Sequence, residues 1–275
     1  MIAIIGFPLL TTLKSSVFKE SLINPMAGST LIGFTNFITL AIDPGFWSTL
    51  LRTTVWTLGS VLGKSLIGLL IAVLLNKEFR GNAVYRVLLL VPWATPQVIG
   101  AIVWKWIFNG QYGMLNYYLM KLGILSDHYS WLGNTTSAFL AAMVVDMWRG
   151  VPFMAIVFLA GLQSIPNDIY QAASVDGAGS WHKFRFITMP LLIPVLLAAT
   201  TLSIIWTFNS FNIIWTMTGG GPLNATEILV VKTYREAFSN YDVGMSSAYA
   251  TVTLIILMAF SILYWRILRR GGEQA

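Results

Sequence analysis

Apolar residues along the chain gather into six stretches, at about residues 1–18, 49–75, 86–108, 137–163, 187–212 and 246–268. Crossing the hydrocarbon core of a bilayer takes about 20 apolar residues in a helix, and these stretches are of that order. The segments between them carry turn-forming pairs: Asn24-Pro25 and Asp43-Pro44 after the first, and Gly219-Gly220-Gly221-Pro222 after the fifth. The pattern predicts an all-α membrane protein of about six transmembrane helices, forming a single domain over residues 1–275. The first stretch is short. Met1 to Leu13 lacks a basic leading region, and no small-residue cleavage site precedes a soluble domain. It reads as part of a first membrane helix, either tilted and short or continued upstream of Met1.

Composition agrees with that solvent. The chain is 56% hydrophobic and 10% charged, against about 45–50% and about 25% in soluble domains. Cysteine is absent, which excludes disulfides, thiolate metal sites and thiol nucleophiles. The net charge of +6 does not point to nucleic acid, because outside the loops no run of Lys and Arg is interleaved with aromatics. It sets topology instead. Lys77, Arg80, Arg86, Lys183, Arg185, Arg266, Arg269 and Arg270 fall in the short 2–3 and 4–5 loops and the tail. The longer opposite loops hold Lys14, Lys19, Arg52, Lys105, Lys121, Lys232 and Arg235. The denser side is expected in the cytoplasm, with both termini. Trp47, Trp93, Trp104, Trp106, Trp131 and Trp215 lie near span ends, suited to headgroup depth or to packing. Gly59 and Gly63 form a small-xxx-small pair that admits a neighbouring helix.

The loop 164–186, between the fourth and fifth stretches, is the least membrane-like segment with helical character. Pro166 suits a first helical position, and Asn167 and Asp168 put polar groups in the first turn. Gly177 is placed to end the helix with a left-handed residue, and a second short helix follows from Ser180. Ala172, Ala173, Gly177 and Ala178 leave a smooth surface for another protein's groove.

This loop resembles that of the inner-membrane permeases of bacterial ABC importers, which carry Glu-Ala-Ala, then Asp-Gly-Ala, then an aromatic, Ile and Pro. Here the residues are Gln171-Ala172-Ala173, Asp176-Gly177-Ala178, Phe184, Ile187 and Pro190. The resemblance to the maltose-type carbohydrate permeases extends over nearly the whole chain. It includes Gly33-Phe34-Thr35-Asn36-Phe37, Phe79-Arg80, Pro92-Trp93, Trp104-Lys105-Trp106 and Thr218 to Glu227. It implies the type I ABC importer permease fold in a bacterial inner membrane. It also implies a coupling helix in which Gln171, Ala172, Ala173, Asp176, Gly177 and Ala178 dock on a dimer of ATP-binding subunits. A second homologous permease, an extracytoplasmic solute-binding protein and surrounding membrane lipid complete the expected partners. Gln171 departs from the family's Glu, so an ion pair with the ATPase becomes a neutral hydrogen bond.

Polar residues inside a bilayer mark a pathway or a packed interface. In the fourth stretch Asp146, Arg149, Gly150 and Phe153 share one broad arc of a helix. Carboxylate and guanidinium groups bond hydroxyls, an aromatic face stacks on a pyranose, and glycine leaves room. The alternative is an Asp146–Arg149 pair that neutralises itself at i, i+3. In the fifth, Trp206, Thr207, Asn209 and Ser210 form a second polar group, readable as pathway or as interhelical glue. By the resemblance, several of these positions match sugar contacts. Lys64 has no counterpart, and either snorkels or pairs with an acid on a neighbouring helix.

The expected substrate is a sugar or sugar-like polyol: a di- or oligosaccharide, a glycosylated osmolyte or glycerol phosphate, with a neutral polyol fitting the residue types best. No Gly-x-x-x-x-Gly-Lys-Ser/Thr loop is present, so ATP and magnesium belong to the partner ATPase and the chain is expected to bind no cofactor or metal. An ion-coupled secondary transporter, which could also place Asp146 and Lys64 in the membrane, is the competing class; the absence of a detectable repeat and the docking loop argue against it. A membrane enzyme is disfavoured because His128 and His182 lie in loops on opposite sides, with no metal-ligand spacing joining them.

Overall fold

The computed structural model describes residues 2–23, 28–77 and 79–272; the Asn24-Pro25 turn lies outside them. An apolar helix α1 (Ile2–Ser15) leads through an antiparallel hairpin, β1 (Phe18–Lys19) and β2 (Thr30–Leu31), to α2 (Thr35–Ile42) and the long α3 (Pro44–Leu75). Then come α4 (Asn82–Leu89), α5 (Val91–Ala94), α6 (Gln97–Ile107), α7 (Met114–Lys121) and the long α8 (Thr135–Gln163). The loop helices α9 (Asn167–Val175) and α10 (Ser180–Lys183) pass through one π turn (Phe184–Thr188) into α11 (Met189–Phe208). The chain ends with α12 (Phe211–Thr218), α13 (Leu229–Phe238) and α14 (Val243–Gly272).

Among the described residues, four helices are long and apolar enough to cross a membrane: Pro44–Leu75, Thr135–Gln163, Ser180–Phe208 and Val243–Tyr264. The third expected span is a pair of helices, Asn82–Ala94 and Gln97–Ile107, bent by 92°. Pro96 is the cause. It has no N–H to continue the ladder, and it drives Thr95 into an extended conformation with ψ 128°. The fifth span also ends earlier than its apolar pattern, at Phe208, with Asn209 and Ser210 outside helix before α12 begins. Six is therefore an approximate number, reached by adding the bent pair and the short α1.

Local chemistry sets the long helices. Asp43 caps α3 by accepting from the Gly45 and Phe46 amides at 2.8 and 3.2 Å, with Pro44 opening the first turn. Once formed, α3 is inside out by soluble standards. Leu58, Leu62, Leu66, Leu70 and Leu74 are exposed along one face, while Thr53, Thr57, Ser60 and Lys64 are buried on the other. Lipid takes the leucines, and Thr53, Thr57 and Lys64 find partners within the bundle, while the Ser60 hydroxyl is buried without one.

Helices α3 and α8 run parallel and close. A Cβ on Gly59 would lie 2.4 Å from the Met143 Cε, and one on Gly63 would lie 2.2 Å from the Met147 sulfur. At Gly68 it would meet Met154 Cβ at 2.6 Å and the Ala155 amide nitrogen at 3.1 Å. The glycine pair read from the sequence thus belongs to a longer seam in which methionines fill glycine slots. Because the neighbours of Gly68 are close to the backbone, Gly68→Leu is expected to cost at least the ~1–3 kcal/mol of an overpacked core. A lowered unfolding temperature in detergent, larger than that of Gly59→Ala, checks this.

The turn 219–227 is braced from α13. Arg235 donates to the Gly219 carbonyl at 2.7 Å and to Asn224 Oδ1 at 2.6 Å, and pairs with the buried Glu227 carboxylate. Gly219 and Gly220 take φ +61° and +91°, which side-chain-bearing residues rarely adopt.

Candidate functional site

Where α8 passes α3 and the end of α11, the polar faces of the three helices enclose a cavity of about 500 Å³, a volume typical of small-molecule sites. Its lining includes Asp146, Arg149, Gly150 and Phe153 from α8, Trp206 and Thr207 from α11, and Asn209 and Ser210 from the break that follows. All eight positions singled out as substrate candidates therefore face one space, although about 50 residues of chain separate the two groups.

Lys64 supplies the electrostatic centre. Its ammonium nitrogen lies 2.5 Å from Asp146 Oδ2, an ion pair by distance rather than a directed hydrogen bond. It also donates to the Thr207 hydroxyl at 2.8 Å. One side chain of α3 thus ties α8 to α11. The tie requires Gly150, because a Cβ there would lie 2.6 Å from the Lys64 Cδ. The room that glycine leaves is partly taken by the lysine stem crossing α8. Asp146 therefore pairs across helices with Lys64, and no ion pair joins it to Arg149 one turn on, among the described residues.

Arg149 points elsewhere. With the Gln97 amide oriented by its hydrogen bonds, its oxygen accepts from both terminal guanidinium nitrogens at 3.1 and 3.0 Å. In that orientation the Gln97 amide nitrogen faces the Asn212 side-chain amide at 2.9 Å. The Arg149 Nε is buried without a partner. The opposite wall is aromatic: the Phe153 and Trp206 rings meet edge to face at 5.1 Å, and Trp206 is exposed.

The broken end of α11 is held by local and cross-helix bonds. The Thr207 carbonyl accepts from the Trp56 indole at 3.0 Å and from the Ser210 amide at 3.1 Å, while Asn209 folds back onto the Ile205 carbonyl at 3.0 Å. Trp93, Gln97 and Ser203 also line the cavity and were missed as candidates. Gln97 and Ser203 carried the same signal as the others, a polar side chain within an apolar stretch. Trp93 is indistinguishable by sequence from an interfacial tryptophan.

At the far end of α8 the loop helix α9 has no fully buried residue. It starts at Asn167, one residue later than expected, because Pro166 keeps an extended backbone with ψ 134° and acts as the cap. Gly177 adopts φ +77°, and the amides of Gly177 and Ala178 donate to the carbonyls of Ser174 and Ala173 at 3.1 and 2.9 Å. This pair closes a Schellman cap. Gln171, Ala172, Asp176 and Gly177 are exposed, and Ala173 and Ala178 are half-buried. The Tyr170 and Thr188 hydroxyls meet at 2.9 Å and Lys183 donates to Ser174 at 2.6 Å, fastening α9 to the start of the α11 span.

Residues 64–270 match the family model of the binding-protein-dependent transport system inner membrane component. The chain belongs to this family. The permease is 43% identical over 239 residues to a probable ABC transporter permease protein of Brucella suis, covering 87% of this chain and 83% of the relative. It is 37% identical over 239 residues to the trehalose/maltose transport system permease protein of Thermococcus litoralis, covering 86% and 79%. Among solved structures, the permease is similar to a chain of a bacterial ABC transporter involved in the import of the acidic polysaccharide alginate. That match has a TM-score of 0.85 at 19% identity and covers 98% and 91% of the two chains. The type I permease fold of a multi-pass membrane protein follows, and the ion-coupled secondary transporter is left without support.

Proposed function

We propose that the permease carries a sugar or sugar-like polyol into a bacterial cell through the cavity between α3, α8 and α11. It does so beside a second homologous permease, fed by an extracytoplasmic solute-binding protein. A dimer of ATP-binding subunits docks on Gln171 to Ala178, both termini face the cytoplasm, and closure of that dimer reaches the cavity through the two spans that α9 joins. The observation that carries the reading is the meeting of all eight candidates in one cavity. There Phe153 and Trp206 form an aromatic wall, and Arg149, Asn209 and Ser210 add hydrogen-bonding groups beside the Lys64–Asp146–Thr207 tie. Sugars are bound by such a combination of an apolar wall and convergent polar groups. The trehalose/maltose relative supports the same class.

The test is ATP hydrolysis by the full complex in proteoliposomes, with its binding protein loaded from a panel of sugars, polyols and amino acids. Stimulation by a sugar or polyol is expected, with Trp206→Ala weakening substrate binding to the permease about tenfold, the scale of one lost aromatic contact. Stimulation by amino acids alone, or uptake that proceeds without ATP, counts against the reading.

A further inference from the structure

We infer that the substrate of this cavity carries a negative charge, so that the sugar is an acid, a phosphate ester or a sulfonate, and that Arg149 is the residue that reads it. This rests on the sugar reading above and narrows it. Two cationic side chains and one anionic side chain line the cavity. The Asp146 carboxylate is claimed by Lys64 at 2.5 Å, with both side chains buried. Wherever its proton lies, that pair sums to no net charge.

Arg149 is therefore left over. Guanidinium stays protonated in proteins, and its partner here is the neutral Gln97 amide. No carboxylate lies within ion-pairing distance of it among the described residues, and its Nε is buried unpartnered. Inside a membrane an uncompensated cation is costly and is normally matched by an anion. Among the described residues the lining holds no second acid, so the missing counter-charge enters with the solute. The planar fork of guanidinium suits a carboxylate, phosphate or sulfonate, which it binds in pairs of parallel hydrogen bonds. The Phe153 and Trp206 wall remains available for the sugar ring.

Two matched pairs of probes test this: a glucuronyl-glucose disaccharide against cellobiose, and sucrose 6-phosphate against sucrose. Each is measured by equilibrium binding to the assembled transporter in nanodiscs without its binding protein. The acidic member of at least one pair is expected to bind about tenfold or more tightly than the neutral one, the worth of one charge-assisted contact. Arg149→Gln brings the pair to parity by weakening only the acid, and Arg149→Lys keeps the preference, which separates charge from packing. Equal or tighter binding of the neutral members overturns the inference and leaves the sugar reading standing, as expected if a carboxylate of the second permease neutralises Arg149. A preference unchanged in Arg149→Gln also overturns it. Binding of none of the four probes removes the sugar reading and the inference together.

Discussion

Lys64→Met is expected to destabilise the permease by about 3–5 kcal/mol, the cost of leaving one member of a buried ion pair without its partner. Methionine matches the lysine stem in length and preserves its packing beside Gly150, so the loss isolates the ammonium. Both Lys64 and Asp146 are about 4% exposed, so whichever ion is left behind keeps little water around it. Removing the carboxylate as well, in Lys64→Met/Asp146→Asn, should recover most of the loss, because a neutral pair of similar volume in a buried site often costs nothing. Unfolding in detergent followed for the wild type, both single variants and the double variant closes the cycle. A Lys64→Met protein as stable as the wild type would mean that the ammonium and carboxylate do not depend on each other.

The second large effect is expected at the loop. Asp176→Lys with Gly177→Trp should abolish substrate-stimulated ATP hydrolysis while the complex still assembles and retains its basal rate. A left-handed backbone costs a side-chain-bearing residue about 1–2 kcal/mol, and Gly177 holds φ +77° in the Schellman cap. Tryptophan therefore opposes the turn and also plants a large ring beside the small residues Ala172, Ala173 and Ala178. Lysine reverses the charge beside it. Stimulation that survives at the wild-type level in an assembled complex would rule out this face as the docking surface.

What the sequence could and could not reveal follows from the range of the interactions. Hydropathy marked the long helices, since α3 and α8 coincide with apolar stretches to within a few residues. The Gly177 turn was legible because only its own backbone decides it. The eight cavity positions were legible as polar residues in apolar surroundings. The pairing of Asp146 was legible only in part: Lys64 was open to pairing with an acid on a neighbouring helix, but which acid depends on the rotation of α3 against α8, and Arg149 was the nearer candidate along α8. The 92° bend at Thr95-Pro96 was written in a local breaker, which apolar length alone obscures. The early end of α11 has no such marker, since Trp206 to Phe211 contains neither proline nor glycine.

The seam between α3 and α8 has mechanical consequences of its own. At Gly59 and Gly63 the slots are filled by the mobile ends of Met143 and Met147, whereas Gly68 presses on the Cβ of Met154 and the backbone at Ala155. An unbranched thioether can be re-seated by rotating its torsions, so small relative displacements there cost torsional energy instead of opening a void. Backbone against backbone has no such freedom. The two helices are thus stiff at one contact and compliant at two, which makes Gly68 the fulcrum of any tilt between them and the Met143 end the one that swings.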